Sequence, residues 1–244
     1  MKNGESRIDI LGVGFDNITK AEAVNYAFGI QTEHKAYYVV TPNPEIVMRA
    51  REDEGMLSAV KAAELVIPDG IGVIYGAKIL GTPMKERVPG IDFTTSLMEK
   101  MNEEGRSVFL FGSKPGVADK AAKNLAEKFP GIRFVGTNDG YFSDDEPIIK
   151  KINAAKPDLM LVCLGAPKQE KWMQTNAHRL DVGIMVGAGG SLDVFAGVAE
   201  RAPEKWQKMG LEWLYRLLKE PTRIGRMMNL PKFLISVIFS RIRG

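Results

Sequence analysis

From residue 7 to about residue 195, short apolar runs rich in β-branched side chains alternate with stretches whose apolar positions recur every three or four residues. The runs 7–13, 36–41, 64–67, 107–111, 133–135, 158–164 and 182–186 read as strands, and the stretches between them as helices. Most of the runs are apolar at nearly every position, which predicts a sheet buried on both faces; helices between consecutive strands predict parallel pairing. Helix starts are marked as well. Thr19 with Glu22 and Ser143 with Glu146 have capping-box spacing, and Asn43 then Pro44 reads as a cap followed by proline at the first helical position. Gly105, Gly131 and the pair Lys156–Pro157 punctuate returns to strands.

After Gly197 the alternation stops. Residues 203–244 read as helices alone, interrupted at Pro221 and Pro231. The expected architecture is α/β: a mainly parallel, Rossmann-like sheet covered by helices on both faces over residues 1–197, then an all-helical appendage over residues 198–244. No internal repeat or low-complexity tract interrupts this order.

Composition adds limits. A chain of 244 residues, 45% hydrophobic, hides roughly 70–75% of its unfolded surface and needs no disulfide or structural metal to stand. Its one cysteine, Cys163, and two histidines, His34 and His178, are a poor ligand set for zinc, and no metal is expected. The net charge of +3 conceals an asymmetry. Residues 216–244 carry seven basic side chains against Glu220, a balance of +6, leaving −3 for residues 1–215. Such a tail predicts a partner surface. Arg223, Arg226 and Lys232 interleave with Met227, Met228, Leu230, Phe233 and Leu234, which suits an amphipathic helix on anionic lipid; the alternative is a helix packed on the body with a solvated basic face. Each basic residue near such a surface contributes about 1 kcal/mol, so attachment would be reversible. The apolar run 233–239 is far below the roughly 20 residues that span a bilayer. Nucleic acid is not an expected partner, because aromatic stacking positions are sparse. Residues 1–16 mix charges and lack a long apolar core, so a cytoplasmic location is expected.

Ligands of open parallel sheets bind beyond the carboxyl ends of the strands. Three segments fall there: 111–116 (FGSKPG), 164–169 (LGAPKQ) and 186–191 (VGAGGS). Their glycines allow close backbone approach, and two carry lysines, which favours a phosphate-bearing ligand over turn geometry alone. No P-loop occurs. No G-x-G-x-x-G opens the first unit either, where Gly12-Val13-Gly14 runs into Phe15, so a nicotinamide-dependent oxidoreductase is the weaker reading. Asp193 can take a ribose or serve as a first-turn acid. Thr41-Pro42-Asn43-Pro44-Glu45 and Pro68-Asp69-Gly70 lie at successive strand ends, so Thr41 and Asp69 are expected to face one crevice. Asp69 and Asn43 read equally as helix caps and as functional groups, except that no histidine stands in a strand-end loop to take a proton. Arg87-Val88-Pro89-Gly90 offers a cation for a diphosphate or an ordinary solvated turn. Asp144 and Asp145, a pair suggestive of a metal site, fall at a helix start and read as structural.

These segments, with Arg201-Ala202-Pro203 and the motif Gly165 to Trp172, resemble the bacterial WecG/TagA/CpsF glycosyltransferases over nearly the whole chain. The resemblance implies an inverting, metal-independent transfer of N-acetylmannosamine, N-acetylmannosaminuronic acid or a related sugar from a UDP-sugar to an undecaprenyl-diphosphate-linked acceptor. It implies Asp69 as the base, with Thr41 and Gln169 in the catalytic pocket and Asn43 and Gly165 beside them. Arg87, Arg216, Arg223 and Arg226 would engage diphosphate, and Gly112, Thr137, Tyr141, Gly189, Gly190 and Asp193 the donor nucleotide. It further implies peripheral attachment to the inner membrane face and a possible homo-oligomer away from it.

Overall fold

The computed structural model describes residues 7–243, with the side chain of Arg223 also outside the described part. The first half of the chain runs β1 (Ile8–Ile10), β2 (Val13–Phe15), α1 (Lys20–Ile30), β3 (Tyr37–Val40), α2 (Pro44–Glu52), α3 (Glu54–Lys61), β4 (Leu65–Val66), α4 (Ile71–Leu80) and α5 (Gly90–Glu103). Then follow β5 (Ser107–Gly112), α6 (Val117–Lys128), β6 (Arg133–Asn138), α7 (Glu146–Ala155), β7 (Leu159–Cys163), α8 (Lys168–Asn176), β8 (Ile184–Gly187) and α9 (Ser191–Phe195). The tail is α10 (Glu204–Lys208), α11 (Glu212–Lys219), α12 (Ile224–Met227) and α13 (Asn229–Arg243).

Six strands form one sheet in the order β4-β3-β8-β7-β5-β6, every neighbouring pair parallel. Alternate residues of each strand feed opposite cores. Val39, Leu110, Leu161 and Val186 pack with α1, α5 and α6 through Ala27, Phe93, Leu97 and Ala121. Tyr38, Val40, Phe111, Val162 and Met185 pack on the other side with Val47 of α2, Val73 of α4, Ile152 of α7 and Trp172 of α8. Both faces are therefore dry over β3, β4, β5, β7 and β8, as the apolar runs require, while the edge strand β6 is only half-buried.

The structure corrects three local expectations. The run 7–13 is not a strand of the sheet. Ile10 pairs with Val13 in an antiparallel hairpin, and the two turn residues Leu11 and Gly12 both have positive φ (56° and 89°). That is the geometry of a tight two-residue hairpin turn, and Asp9 Oδ1 accepts from the Gly12 amide at 3.1 Å. The hairpin is tied to the β4 edge by Asp16, whose Oδ2 accepts from the Val66 amide at 2.7 Å. The Ser143–Glu146 box does not form: α7 starts at Glu146, and Asp144 Oδ1 takes its amide at 3.0 Å. Pro231 does not interrupt a helix, because it is the third residue of α13, in the first turn, where a missing N–H leaves no intrahelical bond unmade. Thr19–Glu22 and Asn43–Pro44 form as expected.

The last helix is seated in the body. Phe233 and Val237 of α13 are fully buried against α4 and α2. The seat is a groove of small residues: a Cβ on Gly76 would come within 2.8 Å of the Phe233 ring, and one on Gly72 within 2.5 Å of Leu230.

Candidate active site

Strand ends β3, β4, β7 and β8, the start of α5 and the tail enclose a cavity of about 330 Å³. Thr41, Asn43, Asp69, Arg87, Gly165, Gln169, Gly189, Gly190, Arg216 and Arg226 all line it. The convergence has local causes. The Asp69 amide donates to the Pro42 carbonyl at 3.2 Å and the Val88 amide to that of Pro68 at 3.0 Å, so three loops are stitched together by backbone. Asn43 caps α2 through Ile46 (3.0 Å) while facing the cavity, so capping and site placement coexist in one residue. Thr41 donates its hydroxyl to the Gly187 carbonyl at 3.3 Å. Thr41 and Gly90 are in close approach, since a Cβ on Gly90 would stand 2.9 Å from Thr41 Oγ1.

Asp69 is half-buried on the cavity floor, and burial pushes its carboxyl up to about 6, with the negative charge of Glu212 adding to the rise. A hydrogen bond from the Gly90 amide and the positive charges of Arg216 and Arg87 oppose it. Gly90 opens α5, so that amide is one a helix leaves unpaired and faintly positive. The carboxyl is thus poised to take a proton near neutral pH.

Gln169 is buried. Its Oε1 accepts from the Gly189 amide at 3.2 Å, and its Nε2 donates to Glu170 Oε1 at 2.8 Å, which ties the glycine loop after β8 to α8. Burial raises the Glu170 carboxyl above its usual range.

A second, wider cleft of about 990 Å³ adjoins the first and shares Arg226 with it. Ser113, Lys114, Tyr141, Phe142, Lys168 and Asp193 line it. Ser113 Oγ donates to Asp193 Oδ1 at 2.5 Å. Lys168 lies 4.0 Å from the Phe142 ring centroid and donates to the Gly140 carbonyl at 2.9 Å, while Tyr141 is 70% exposed. Gly112 and Thr137 are not among the lining residues of either space. Gly112, at φ +127°, packs where a Cβ would meet the Cys163 carbonyl at 2.3 Å, and the Thr137 hydroxyl is bonded to Asp119. Arg223 was expected to engage diphosphate; its side chain lies outside the described residues.

Sequence reasoning missed several wall residues. Glu212 and Trp213 come from α11, and Phe142 from the wider cleft. The only signal for Glu212 was its i,i+4 spacing to Arg216, a pairing any exposed helix can carry. Asp144 and Asp145 serve structure: Asp145 Oδ1 accepts from Trp172 Nε1 at 2.8 Å. Among the described residues no three His, Cys, Asp or Glu side chains converge as a metal site would require.

A doubly covered parallel sheet thus gathers Glu45, Asp69 and Glu212 with Arg87, Arg216 and Arg226 around one cavity, and a hydroxyl–aspartate pair lines the next. Residues 8–244 match the Glycosyl transferase WecG/TagA/CpsF family, and the chain belongs to it. It is 37% identical over 206 residues to an N-acetylglucosaminyldiphosphoundecaprenol N-acetyl-beta-D-mannosaminyltransferase of Bacillus spizizenii, covering 84% of this chain and 80% of that one. A protein of the same name from Staphylococcus aureus is 35% identical over 239 residues, covering 97% of this chain and 94% of its own.

Proposed function

We propose that this enzyme transfers N-acetylmannosamine from UDP to N-acetylglucosaminyl-diphosphoundecaprenol, with inversion and without a metal, as a step of wall teichoic acid linkage-unit synthesis. The names of its relatives support the sugar and the acceptor. The observation that carries the chemistry is Asp69, which lines one cavity with Arg87 and Arg216 and feels the charge of both.

In this reading the acceptor hydroxyl attacks the anomeric carbon as the bond to UDP breaks, and its proton passes to Asp69. The Gly189 and Gly190 amides and the arginines absorb the charge that develops on UDP. Thr41 and Gln169 hold the walls, with Asn43 and Gly165 beside them. The nucleotide lies in the wider cleft toward Tyr141 and Asp193, and Arg226, common to both spaces, meets the diphosphate.

The tail docks on the inner face of the membrane. Its basic residues meet anionic headgroups, and the exposed Ile235, Ile238, Phe239 and Ile242 of α13 enter the interface. Among the described residues no helix is long and apolar enough to cross a bilayer.

Asp69→Asn tests the base. Transfer from UDP-N-acetylmannosamine to the lipid acceptor should fall about 10²–10⁴-fold while UDP binding persists; wild-type turnover in the variant would remove Asp69 from the mechanism. In the wild type, activity should fall as pH drops through about 6, since the base must be ionised. The same variant should be more stable. A carboxyl raised from 3.8 to about 6 by folding disfavours the folded state at pH 7 by up to about 3 kcal/mol. The stability gain should therefore be absent below pH 3.8, grow between 3.8 and 6 and be complete above 6, as urea midpoints measured across that range would report.

A further inference from the structure

We propose that Glu212 is a positioning residue: it fastens α11 over the cavity, turns Arg216 into it and sets a negative charge beside Asp69. The kinetic consequence rests on the reading of Asp69 as the base; the fastening does not.

Four side chains form one ionic chain from the body to the site. Asp92, in the first turn of α5, holds Arg201 through both guanidinium nitrogens, Nη1 to Oδ1 at 2.5 Å and Nη2 to Oδ2 at 2.8 Å. This two-pronged pairing fixes the guanidinium plane. The third nitrogen, Arg201 Nε, is buried without a hydrogen-bond partner and stands 3.9 Å from Glu212 Oε1. The same Glu212 oxygen accepts from Arg216 Nη2 at 2.8 Å, one helical turn further on. Glu212 and Arg216 both line the cavity with Asp69.

The chain matters because α11 buries no residue fully: residues 211–217 are half-buried, Trp213 lines the cavity, and Tyr215 meets the Trp206 ring with centroids 5.7 Å apart. An orphaned donor 3.9 Å from a carboxylate is a bond waiting for an inward shift of about 1 Å.

The charge is felt at Asp69. The groups that face it are Glu212 and Arg216 of α11, Arg87 before α5, Arg201 of the segment after α9 and the Gly90 amide. Glu45 of α2 and Arg226 of α12 share the cavity walls. Glu212 is the cause among these that adds negative charge and raises the carboxyl, against the two arginines.

The test uses the full chain with vesicle-borne lipid acceptor and two variants. Glu212→Ala should speed amide exchange across residues 212–219 and lower kcat/KM for the acceptor about 10- to 100-fold, the scale of an ångström misplacement. Glu212→Gln keeps an oxygen for Arg216, so it should recover much of that rate, yet the acid limb of its pH profile should move to lower pH. A purely structural role would not move that limb. Wild-type exchange in Glu212→Ala, or an acid limb in Glu212→Gln that coincides with the wild type, overturns the proposal. Asp69→Asn in parallel separates the two ideas: wild-type transfer there would sink the base while fast exchange in Glu212→Ala still upholds the fastening.

Discussion

The two ends of the tail are held by different physics. Helix α13 is fixed by burial: Phe233 and Val237 are fully out of water in the groove of Gly72 and Gly76. Helix α11, which carries Glu212 and Arg216 at the cavity, buries no residue fully; residues 211–217 are half-buried, and ion pairs join Glu212 to Arg201 and Arg216. The non-directional term, about 1.5–3 kcal/mol for each large apolar side chain, secures the far end, and a weak, charge-sensitive one holds the end near the chemistry. Under that division the anchor stays buried while the end near the cavity is the more easily displaced.

Substitutions should separate the two attachments by size. Phe233→Ala empties the groove, and a loss of about 3–5 kcal/mol is expected, read as a lower urea midpoint; a loss below about 1 kcal/mol would mean that α13 is not seated as described. Gly76→Val forces the Phe233 ring out of contact distance and should cost about 1–3 kcal/mol. Arg201→Met cuts the ionic chain. It should cost only about 1 kcal/mol in stability but reduce transfer as Glu212→Ala does; a stability loss matching Phe233→Ala would erase the contrast between the helices. The smallest effect on folding belongs to Ile238→Ser with Phe239→Ser. Both side chains are exposed, so stability should stay within about 0.5 kcal/mol, while affinity for anionic vesicles should fall tenfold or more in a co-sedimentation assay. Equal vesicle binding by this variant would point to the packed, solvated reading of the tail.

Legibility in the sequence followed the range of the interaction. The sheet strands were readable because burial on both faces demands apolar runs, and the Thr19 and Asn43 caps because a cap and its partner lie three residues apart. The 7–13 run was misread for a related reason: a hairpin needs positive φ at two turn residues, and Leu11 gives no hint of it where an Asn would. Ser143 lost its expected role to Asp144, one residue nearer the helix, where a carboxylate reaches the Glu146 amide. Of the site, the strand-end loops could be placed in one crevice from topology alone. Of the α11 wall, Arg216 was foreseen through the family resemblance but Glu212 was not, because an i,i+4 Glu–Arg pair reads the same on any solvated helix.

By itself the sequence settled which segments form the buried layers and which loops carry glycine, threonine and aspartate to the carboxyl edge, since apolar periodicity and strand-end position are written locally. Only the tertiary structure decided that Asp69 shares its cavity with Glu212, and that Gly72 and Gly76 receive Phe233. Electrostatic shifts and close packing depend on groups more than a hundred residues apart, and such distances exist only once the chain has folded.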